Sequence, residues 1–367
     1  MSASPRNLLR FLGAAVAIIL LAAALTFIVD PLQLFRPSRF YPPMYSNDSR
    51  MQDAGLRSQT FDSVLMGTSL AIHFRQSDID RILGVHSLKL SMTGSNSHEQ
   101  SFVLGAALEN RPRRVIWEVD DWIFRDAPEV DADPYLAADL YRRNIKGVAQ
   151  YLFSGAMARE SLWMLARSTP HLEKLLAPLT ADSLFKFPIA SVDDINALAP
   201  GFDVAAAYNA RKAMAAFADI TSPERRSSLS EDYHYDAMVR NFERDAIGLI
   251  ENNPGTRFDI YFPPYSILQF VAMRDASPAT LKIVYDFTAY ISQRLVQFPN
   301  VSLHDFRAIR QITHNLANYA DVIHHSPTID LEVLSMLASQ QYVVDRATPT
   351  ASLQRLKAQV EAYKVER

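Results

Sequence analysis

Five short apolar runs after residue 60 predict the β-strands of this chain. The runs are SVLM at 63–66, SLKLSM at 87–92, RVIWEV at 114–119, RFDIYF at 257–262 and VSLHDF at 301–306. They are rich in β-branched and aromatic side chains, which strands favour. Each run is short enough for a strand that is buried in a sheet.

Segments of helical periodicity separate these runs. In SHEQSFVLGAALEN (97–110) and PATLKIVYDFTAYISQRLVQ (278–297), apolar residues recur every three to four positions. Strands that alternate with helices predict an α/β fold, with a parallel sheet of about five strands covered on both faces. The last segment, TASLQRLKAQVEAYKVER (350–367), predicts an amphipathic helix that docks on the body.

A long segment separates the third and fourth predicted strands. It is rich in alanine, leucine, tyrosine and methionine, and FDVAAAYNARKAMAAFADI (202–220) has the character of a helix. We therefore predict a helical insertion at 121–256. Packing material, a lid and a partner surface are equally open as its role.

The N-terminal segment predicts a transmembrane helix. Arg6 and Arg10 precede FLGAAVAIILLAAALTFIV (11–29), an uncharged run whose length matches about 30 Å of hydrocarbon. Positive charge before the run predicts a cytoplasmic N-terminus, so the residues after it would lie across the membrane. A cleaved signal with small residues at Ala22–Ala24 is the alternative, but the run exceeds the usual signal core. Either way, the body is exported.

The segment after the apolar run resists regular structure. DPLQLFRPSRFYPPMYSNDSR (30–50) contains four prolines and many polar residues, which suits a stalk. The predicted organisation is a cytoplasmic tail at 1–10, a transmembrane anchor at 11–29, a stalk at 30–60, a folded domain at 61–345 and a C-terminal helix at 346–367.

Composition narrows the classes of function. The 367 residues include 49% hydrophobic and 21% charged residues, which is typical of a folded protein. The net charge of −3 and the lack of a basic run with interleaved aromatics argue against nucleic-acid binding. Cysteine is absent, which excludes disulfides, thiolate metal sites and a cysteine nucleophile.

The first candidate for chemistry is a serine at the end of the first predicted strand. FDSVLMGTSL (61–70) runs from apolar residues into Gly67, Thr68 and Ser69. Ligands of a parallel sheet bind at the carboxyl ends of its strands, and the next segment predicts a helix whose N-terminus favours negative charge. Ser69 is thus a candidate nucleophile, although glycine and serine are also ordinary turn residues.

A glycine and an asparagine follow the second predicted strand. In SMTGSNSHEQ (91–100), the backbone N–H of Gly94 and the side-chain N–H of Asn96 could donate to an oxyanion. The same residues commonly form a turn and cap the next helix, so a purely structural role is the alternative.

An aspartate and a histidine follow the last predicted strand. In NYADVIHHSPTI (318–329), Asp321 and His324 are three residues apart. This spacing lets the carboxylate accept a hydrogen bond from one imidazole nitrogen while the other nitrogen faces the serine. The segment can return to the sheet edge that carries Ser69.

Histidines near this segment raise the alternative of a metal site. His324 and His325 are adjacent, and His304 and His314 are near in sequence. Neighbouring residues rarely point at one ion, and no acidic residue has helical ligand spacing to a histidine pair. We therefore predict no metal and no cofactor.

The order of GTS with Ser69, GSN with Gly94 and Asn96, and DVIH with Asp321 and His324 resembles the SGNH, or GDSL-type, hydrolase superfamily. The resemblance spans about residues 61–330 and implies a flavodoxin-like three-layer fold. It makes Ser69 the nucleophile, His324 the base and Asp321 the residue that orients the base. The N–H groups of Ser69 and Gly94 then bind the oxyanion.

Two departures from the superfamily pattern stand out. Thr68 occupies the position of the usual aspartate beside the serine. The third strand ends in EVDDWIF (118–124) rather than in the G-x-N-D that supplies an asparagine, so Asn96 could substitute, or Asp120 and Asp121 could serve in that loop.

Within the superfamily, the chain resembles membrane-anchored envelope proteins of teichoic-acid D-alanylation and alginate O-acetylation. The features that carry this resemblance are the anchor, the FDSVLMGTS turn (61–69), YFPPYS (261–266) and NYADVIHHSP (318–327). The envelope proteins work beside multi-pass membrane O-acyltransferases. The resemblance implies a serine esterase or O-acyltransferase at the bacterial inner membrane, facing the periplasm, with an acyl donor and a glycan acceptor. An inactive accessory protein that binds an acyltransferase or a glycan is the alternative.

Overall fold

The computed structural model describes most of the chain, with gaps. The described residues are 5–37, 60–126, 130, 138–142, 144–167, 193, 204–225 and 233–365. The chain divides into two compact units: residues 1–60 with 134–197, and residues 61–133 with 198–367. We describe the first as the N-terminal unit and the second as the sheet unit.

A five-stranded, all-parallel sheet forms the centre of the sheet unit. Its strands are β1 (Ser63–Gly67), β2 (Ser87–Ser91), β3 (Arg114–Glu118), β4 (Arg257–Phe262) and β5 (Val301–Asp305). The spatial order is β2-β1-β3-β4-β5, and every neighbouring pair is parallel. The prediction of an α/β fold with a parallel sheet of about five strands is confirmed.

The strand order positions the loops that matter for function. The chain leaves β1 toward β2 on one side of the sheet and then returns to β3 on the other side of β1. In open parallel sheets, ligands bind in the crevice at the carboxyl ends of the strands, at the point where the strand order reverses. Here that point lies between β1 and β3.

The helices of the described residues are numbered in chain order. They are α1 (Pro5–Val29), α2 (Gln76–Leu83), α3 (Ser97–Leu108), α4 (Ala138–Tyr141), α5 (Ile145–Leu152), α6 (Gly155–Arg167), α7 (Val204–Ala207), α8 (Ala210–Ile220), α9 (Tyr235–Phe242), α10 (Gly248–Asn252), α11 (Ile267–Ala276), α12 (Pro278–Leu295), α13 (Arg310–Thr313), α14 (Pro327–Ala338) and α15 (Ala351–Ala362). Two 3₁₀ helices, Ser69–His73 and Asp121–Phe124, follow β1 and β3, and a π-helical turn, Glu243–Ile247, joins α9 to α10.

Apolar side chains from the strands and helices form the core of the sheet unit. One cluster joins Leu65 of β1 and Ile116 of β3 to Val333 and Leu337 of α14, all of them fully buried. This cluster packs α14 against β1 and β3.

The N-terminal unit contains α1, α4, α5 and α6. Among the described residues, α1 is the helix that is long and apolar enough to cross a membrane. Its last turns pack against α5 and α6. The shared apolar cluster consists of Val29, Leu32, Leu34, Tyr151, Met157 and Met164.

The start of the predicted stalk is packed rather than extended. Leu32 and Leu34 are almost fully buried. Residues 38–59 of the stalk lie outside the described residues.

The described parts of 121–256 contain α4 to α10, and residues 134–197 of that range belong to the N-terminal unit.

Candidate active site

The turn that carries Ser69 begins at Gly67, where close neighbours leave no room for a side chain. A Cβ on Gly67 would lie 2.7 Å from the Cβ of Ala71 and 3.1 Å from the Cβ of Glu118, so only glycine fits without a shift. Thr68 then caps the 3₁₀ helix whose first residue is Ser69. The first N–H groups of a helix have no partner within the helix, so the N–H of Ser69 can serve an external acceptor.

Three predicted site residues meet at the carboxyl ends of the strands. The Oγ of Ser69 lies 2.8 Å from the Nε2 of His324. The Nδ1 of the same imidazole lies 2.6 Å from the Oδ2 of Asp321. The imidazole therefore bridges the hydroxyl and the carboxylate, in the order that a general base requires.

A tight turn after β5 holds the carboxylate and the imidazole together. The second carboxylate oxygen of Asp321 accepts the backbone N–H groups of Ile323 and His324, each at 2.8 Å. The N–H of Ala320 donates to the carbonyl of His324 at 2.9 Å, and Tyr319 pairs with His325 in an antiparallel bridge. The three-residue spacing thus produces a preorganised pair.

Electrostatics favour the protonated form of the imidazole. Burial lowers the pKa of His324, but the hydrogen bond and charge of Asp321, with a smaller contribution from Asp120, outweigh burial and raise that pKa above its ordinary value. For Asp321, burial raises the pKa, but the contacts with His324 dominate and the net shift is downward. The pair is therefore arranged to stabilise an imidazolium next to the serine.

Both predicted oxyanion residues lie in the turn before α3. Gly94 has φ +64°, a left-handed conformation that favours glycine. The Oδ1 of Asn96 accepts the N–H of Glu99, whose carboxylate accepts the N–H of Asn96, so that the two residues form a capping box. In the described part of the chain, the Nδ2 of Asn96 makes no hydrogen bond and can still donate to a ligand.

A buried acidic network behind the serine turn is the part of the site that the sequence analysis left open. The hydroxyl of Thr68 lies 2.8 Å from Asp120 and 3.2 Å from Glu118, and its N–H donates to Glu118. Tyr261 donates to the other oxygen of Glu118, and Tyr265 donates to the other oxygen of Asp120. The EVDD segment at the end of β3 therefore contacts Thr68, the residue next to Ser69.

The hydrogen bonds of Thr68 indicate which carboxyl group of this network is protonated. The hydroxyl of Thr68 has one proton and lies between two carboxyl groups, so one of them must donate to it for both contacts to form. Burial and then the charge of Asp120 raise the pKa of Glu118 well above its ordinary value. Burial raises the pKa of Asp120 to about 6, against the opposing hydrogen bonds of Tyr265 and Thr68. Glu118 is thus the neutral donor, and Asp120 carries the charge at neutral pH.

Three further histidines of the described residues have partners other than Ser69 and Asp321. His73 accepts or donates a 3.1 Å hydrogen bond with the hydroxyl of Tyr208, and burial lowers its pKa to about 4. His325 is buried beside Asp330 at 3.2 Å, and His304 contacts the carbonyl of Gln341. The described residues contain no group of three or more His, Asp or Glu side chains that could hold a metal ion.

A second serine, histidine and aspartate cluster lies at the start of α3. The Oγ of Ser97 and the Nδ1 of His98 each lie 2.6 Å from the same oxygen of Asp245 in the π-helical turn. The side chains of His98 and Asp245 are 7% and 6% exposed, and Arg244 lies against both. This cluster ties α3 to the helices before β4.

Comparisons with protein families, curated proteins and solved structures find no match to this chain.

Proposed function

We propose that this chain is a membrane-anchored serine acyl esterase or O-acyltransferase of the SGNH type that acts on a cell-envelope polysaccharide. The observation that carries the proposal is the unbroken series of contacts from Ser69 through His324 to Asp321, at 2.8 and 2.6 Å. The strand order 2-1-3-4-5 supports a flavodoxin-like three-layer fold. Residues 121–256 are its helical insertion.

In the first half of the reaction, Ser69 attacks the carbonyl carbon of an acyl donor. The Nε2 of His324 takes the hydroxyl proton while Oγ forms the bond to carbon. The carbonyl oxygen becomes an oxyanion, which the N–H groups of Ser69 and Gly94 and the Nδ2 of Asn96 stabilise. The donor alcohol then leaves with the proton from His324, and the acyl group stays on Ser69.

In the second half, an acceptor hydroxyl attacks the carbonyl carbon of the acyl-enzyme and transfers its proton to His324. The bond between that carbon and the Oγ of Ser69 then breaks, and His324 returns the proton to Oγ. Water as the acceptor yields a carboxylic acid, whereas a glycan hydroxyl yields an acylated glycan. Asp321 keeps the imidazole in the correct tautomer through both halves and stabilises the imidazolium.

The apolar helix α1 supports the membrane part of the proposal. With Arg6 and Arg10 before the apolar run, the N-terminus stays in the cytoplasm of a bacterium and the sheet unit faces the periplasm. This location suits a substrate in the cell envelope and a partnership with a multi-pass membrane O-acyltransferase.

Hydrolysis of p-nitrophenyl acetate tests the proposal. We expect the full-length protein in detergent to release p-nitrophenol, and Ser69→Ala to lose the activity down to background. Ser97→Ala is the matched control, because Ser97 lies in the same unit but contacts a carboxylate rather than an imidazole nitrogen. Equal rates for Ser69→Ala and the wild type would reject catalysis by Ser69 and favour an accessory role.

A further inference from the structure

The N-terminal unit exposes two large apolar side chains at the ends of α5, a helix that packs against α1. Ile145, at the start of α5, is 91% exposed, and Phe153, just after α5, is 56% exposed. Large apolar side chains that are this exposed mark an interaction surface when they lie next to other apolar surface. The neighbouring helix α1 also exposes most of its apolar side chains.

The position of α5 and α6 along α1 indicates whether lipid or water surrounds Ile145 and Phe153. The apolar run 11–29 is about 28 Å long as a helix, which only just matches the hydrocarbon thickness. A spanning α1 therefore needs its whole apolar run inside the bilayer. The residues of α1 that are buried within the unit are Ala23, Thr26 and Val29. They cover about 9 Å of the helix next to its C-terminal end.

Because α5 and α6 pack against that end of α1, they lie at the depth of the lipids there. An anchor followed by a free stalk would instead leave the end of α1 without protein contacts. The packed residues Leu32 and Leu34 extend the same apolar cluster beyond the helix.

The hydrogen bonds of the turn after α1 suit an environment with little water. The carboxylate of Asp30 accepts the N–H groups of Leu34, Phe35 and Arg36 at 2.8–3.1 Å, and the hydroxyl of Tyr151 at 2.8 Å. Backbone groups that enter a membrane must be satisfied by the protein itself. This single carboxylate satisfies three of them.

Arg36 donates hydrogen bonds to backbone carbonyls at the end of α1. Its Nη2 donates to the carbonyls of Phe27 and Ile28, at 2.5 and 2.9 Å, which are among the last carbonyls of α1. Its guanidinium also lies over the ring of Phe27, 4.9 Å from the centroid. The last turn of a helix leaves carbonyls without partners, and water is the usual partner at an exposed end.

We propose that α5, α6 and the turn 30–36 are seated in the lipid bilayer, at the headgroup and upper acyl level of the leaflet in which α1 ends. Ile145 and Phe153 face lipid there, as the apolar residues of interfacial helices do. The inference rests on the proposed membrane span of α1. It makes this unit a membrane-bound platform rather than a stalk.

The absence of cysteine permits a direct test by site-specific labelling. Ile145→Cys and Phe153→Cys are each labelled with the fluorophore NBD in the full chain, reconstituted in phosphatidylcholine and phosphatidylglycerol vesicles. Leu20→Cys in α1 is the positive control for lipid. Lys282→Cys on α12, whose side chain is 78% exposed, is the control for water. Unchanged thermal unfolding shows that each labelled variant is folded.

We expect blue-shifted emission at 145 and 153, with stronger quenching by nitroxide lipids labelled near the headgroup than by lipids labelled deep in the chain. Leu20→Cys should show the reverse depth order. Emission at 145 and 153 like that at 282 would overturn the inference, and so would blue-shifted emission that lipid nitroxides do not quench, because a protein partner would then cover the surface. Water-like emission at 20 would instead reject the membrane span. None of these outcomes depends on the activity of Ser69.

Discussion

Two clusters of serine, histidine and aspartate lie in the sheet unit, and their contacts run in different orders. At the carboxyl ends of the strands, the imidazole of His324 lies between the hydroxyl of Ser69 and the carboxylate of Asp321. At the start of α3, the carboxylate of Asp245 lies in the middle and takes both Ser97 and His98.

This difference in order decides what each cluster can do. A serine that donates to a carboxylate has no imidazole to accept its proton, whereas a serine that contacts Nε2 has one. Exposure differs in the same direction: the side chains of His324 and Asp321 are 35% and 36% exposed, while the second pair is nearly buried. The presence of three residue types is therefore a weaker criterion for a site than the order of their contacts and their access to substrate.

The largest expected difference between the two clusters comes from changing the aspartate of each one. Asp321→Asn should lower kcat/KM for p-nitrophenyl acetate by about 10⁴-fold, because an amide at this position favours the wrong imidazole tautomer. The change keeps an oxygen for the N–H groups of Ile323 and His324, so the turn should survive. Esterase kinetics and thermal unfolding of the same samples provide the two measurements.

The matched change in the second cluster should have the opposite profile. Asp245→Asn removes the charge that holds His98 and Arg244, so we expect a loss of about 1–3 kcal/mol in the free energy of unfolding. Its kcat/KM should stay close to the wild-type value. An Asp245→Asn protein that is folded but inactive would show that the comparison between the clusters is wrong.

A smaller effect on kcat is expected at Asn96. It distinguishes donation to the oxyanion from capping of α3. Asn96→Ser keeps a good N-cap for α3 but removes the side-chain N–H, so kcat should fall by about 10²-fold while unfolding is unchanged. Asn96→Ala should show the same loss of kcat and a further loss of about 1 kcal/mol in stability. If Asn96→Ser retains full kcat, Asn96 is only a helix cap.

The smallest effect is a shift in the pH profile. The proposed mechanism needs neutral His324. Burial lowers the pKa of His324, but Asp321 and, less strongly, Asp120 raise it above the ordinary value. Activity should therefore be lost as pH falls through that raised pKa. Asp120→Asn removes one of the two raising charges, so the acid limb of kcat/KM should move to lower pH.

Glu118→Gln is the control for this shift. Because Glu118 is the neutral member of the network, Glu118→Gln changes no charge near His324, so the acid limb should stay in place. Coincident profiles for Asp120→Asn and the wild type, or a larger shift for Glu118→Gln, would contradict the assignment of the charge to Asp120.

The sequence predicted the features that depend on local pattern. Apolar runs located all five strands to within one residue at their ends, and the alternation with helices indicated a parallel sheet. The spacing of Asp321 and His324 predicted a contact that a single turn can form. Ser69 was a candidate because strand ends collect at one edge of a parallel sheet.

Features that depend on the strand order were beyond local pattern. Thr68 meets Asp120 and Glu118 because β1 lies next to β3 in space, and the chain order of the strands does not specify this. The pairing of His98 with Asp245 joins residues 147 positions apart. At residues 30–36, the prolines and polar residues predict a stalk, and this pattern does not reveal that Leu32 and Leu34 are buried with residues of α5 and α6.

In the proposed mechanism, His324 activates the hydroxyl of Ser69. Labelling of the full-length protein with a fluorophosphonate, followed by peptide mass spectrometry, tests this activation for any substrate. We expect one modified residue, Ser69, with labelling lost in Ser69→Ala, strongly slowed in His324→Ala and unchanged in Ser97→Ala. Wild-type protein that is folded but leaves Ser69 unmodified would contradict it.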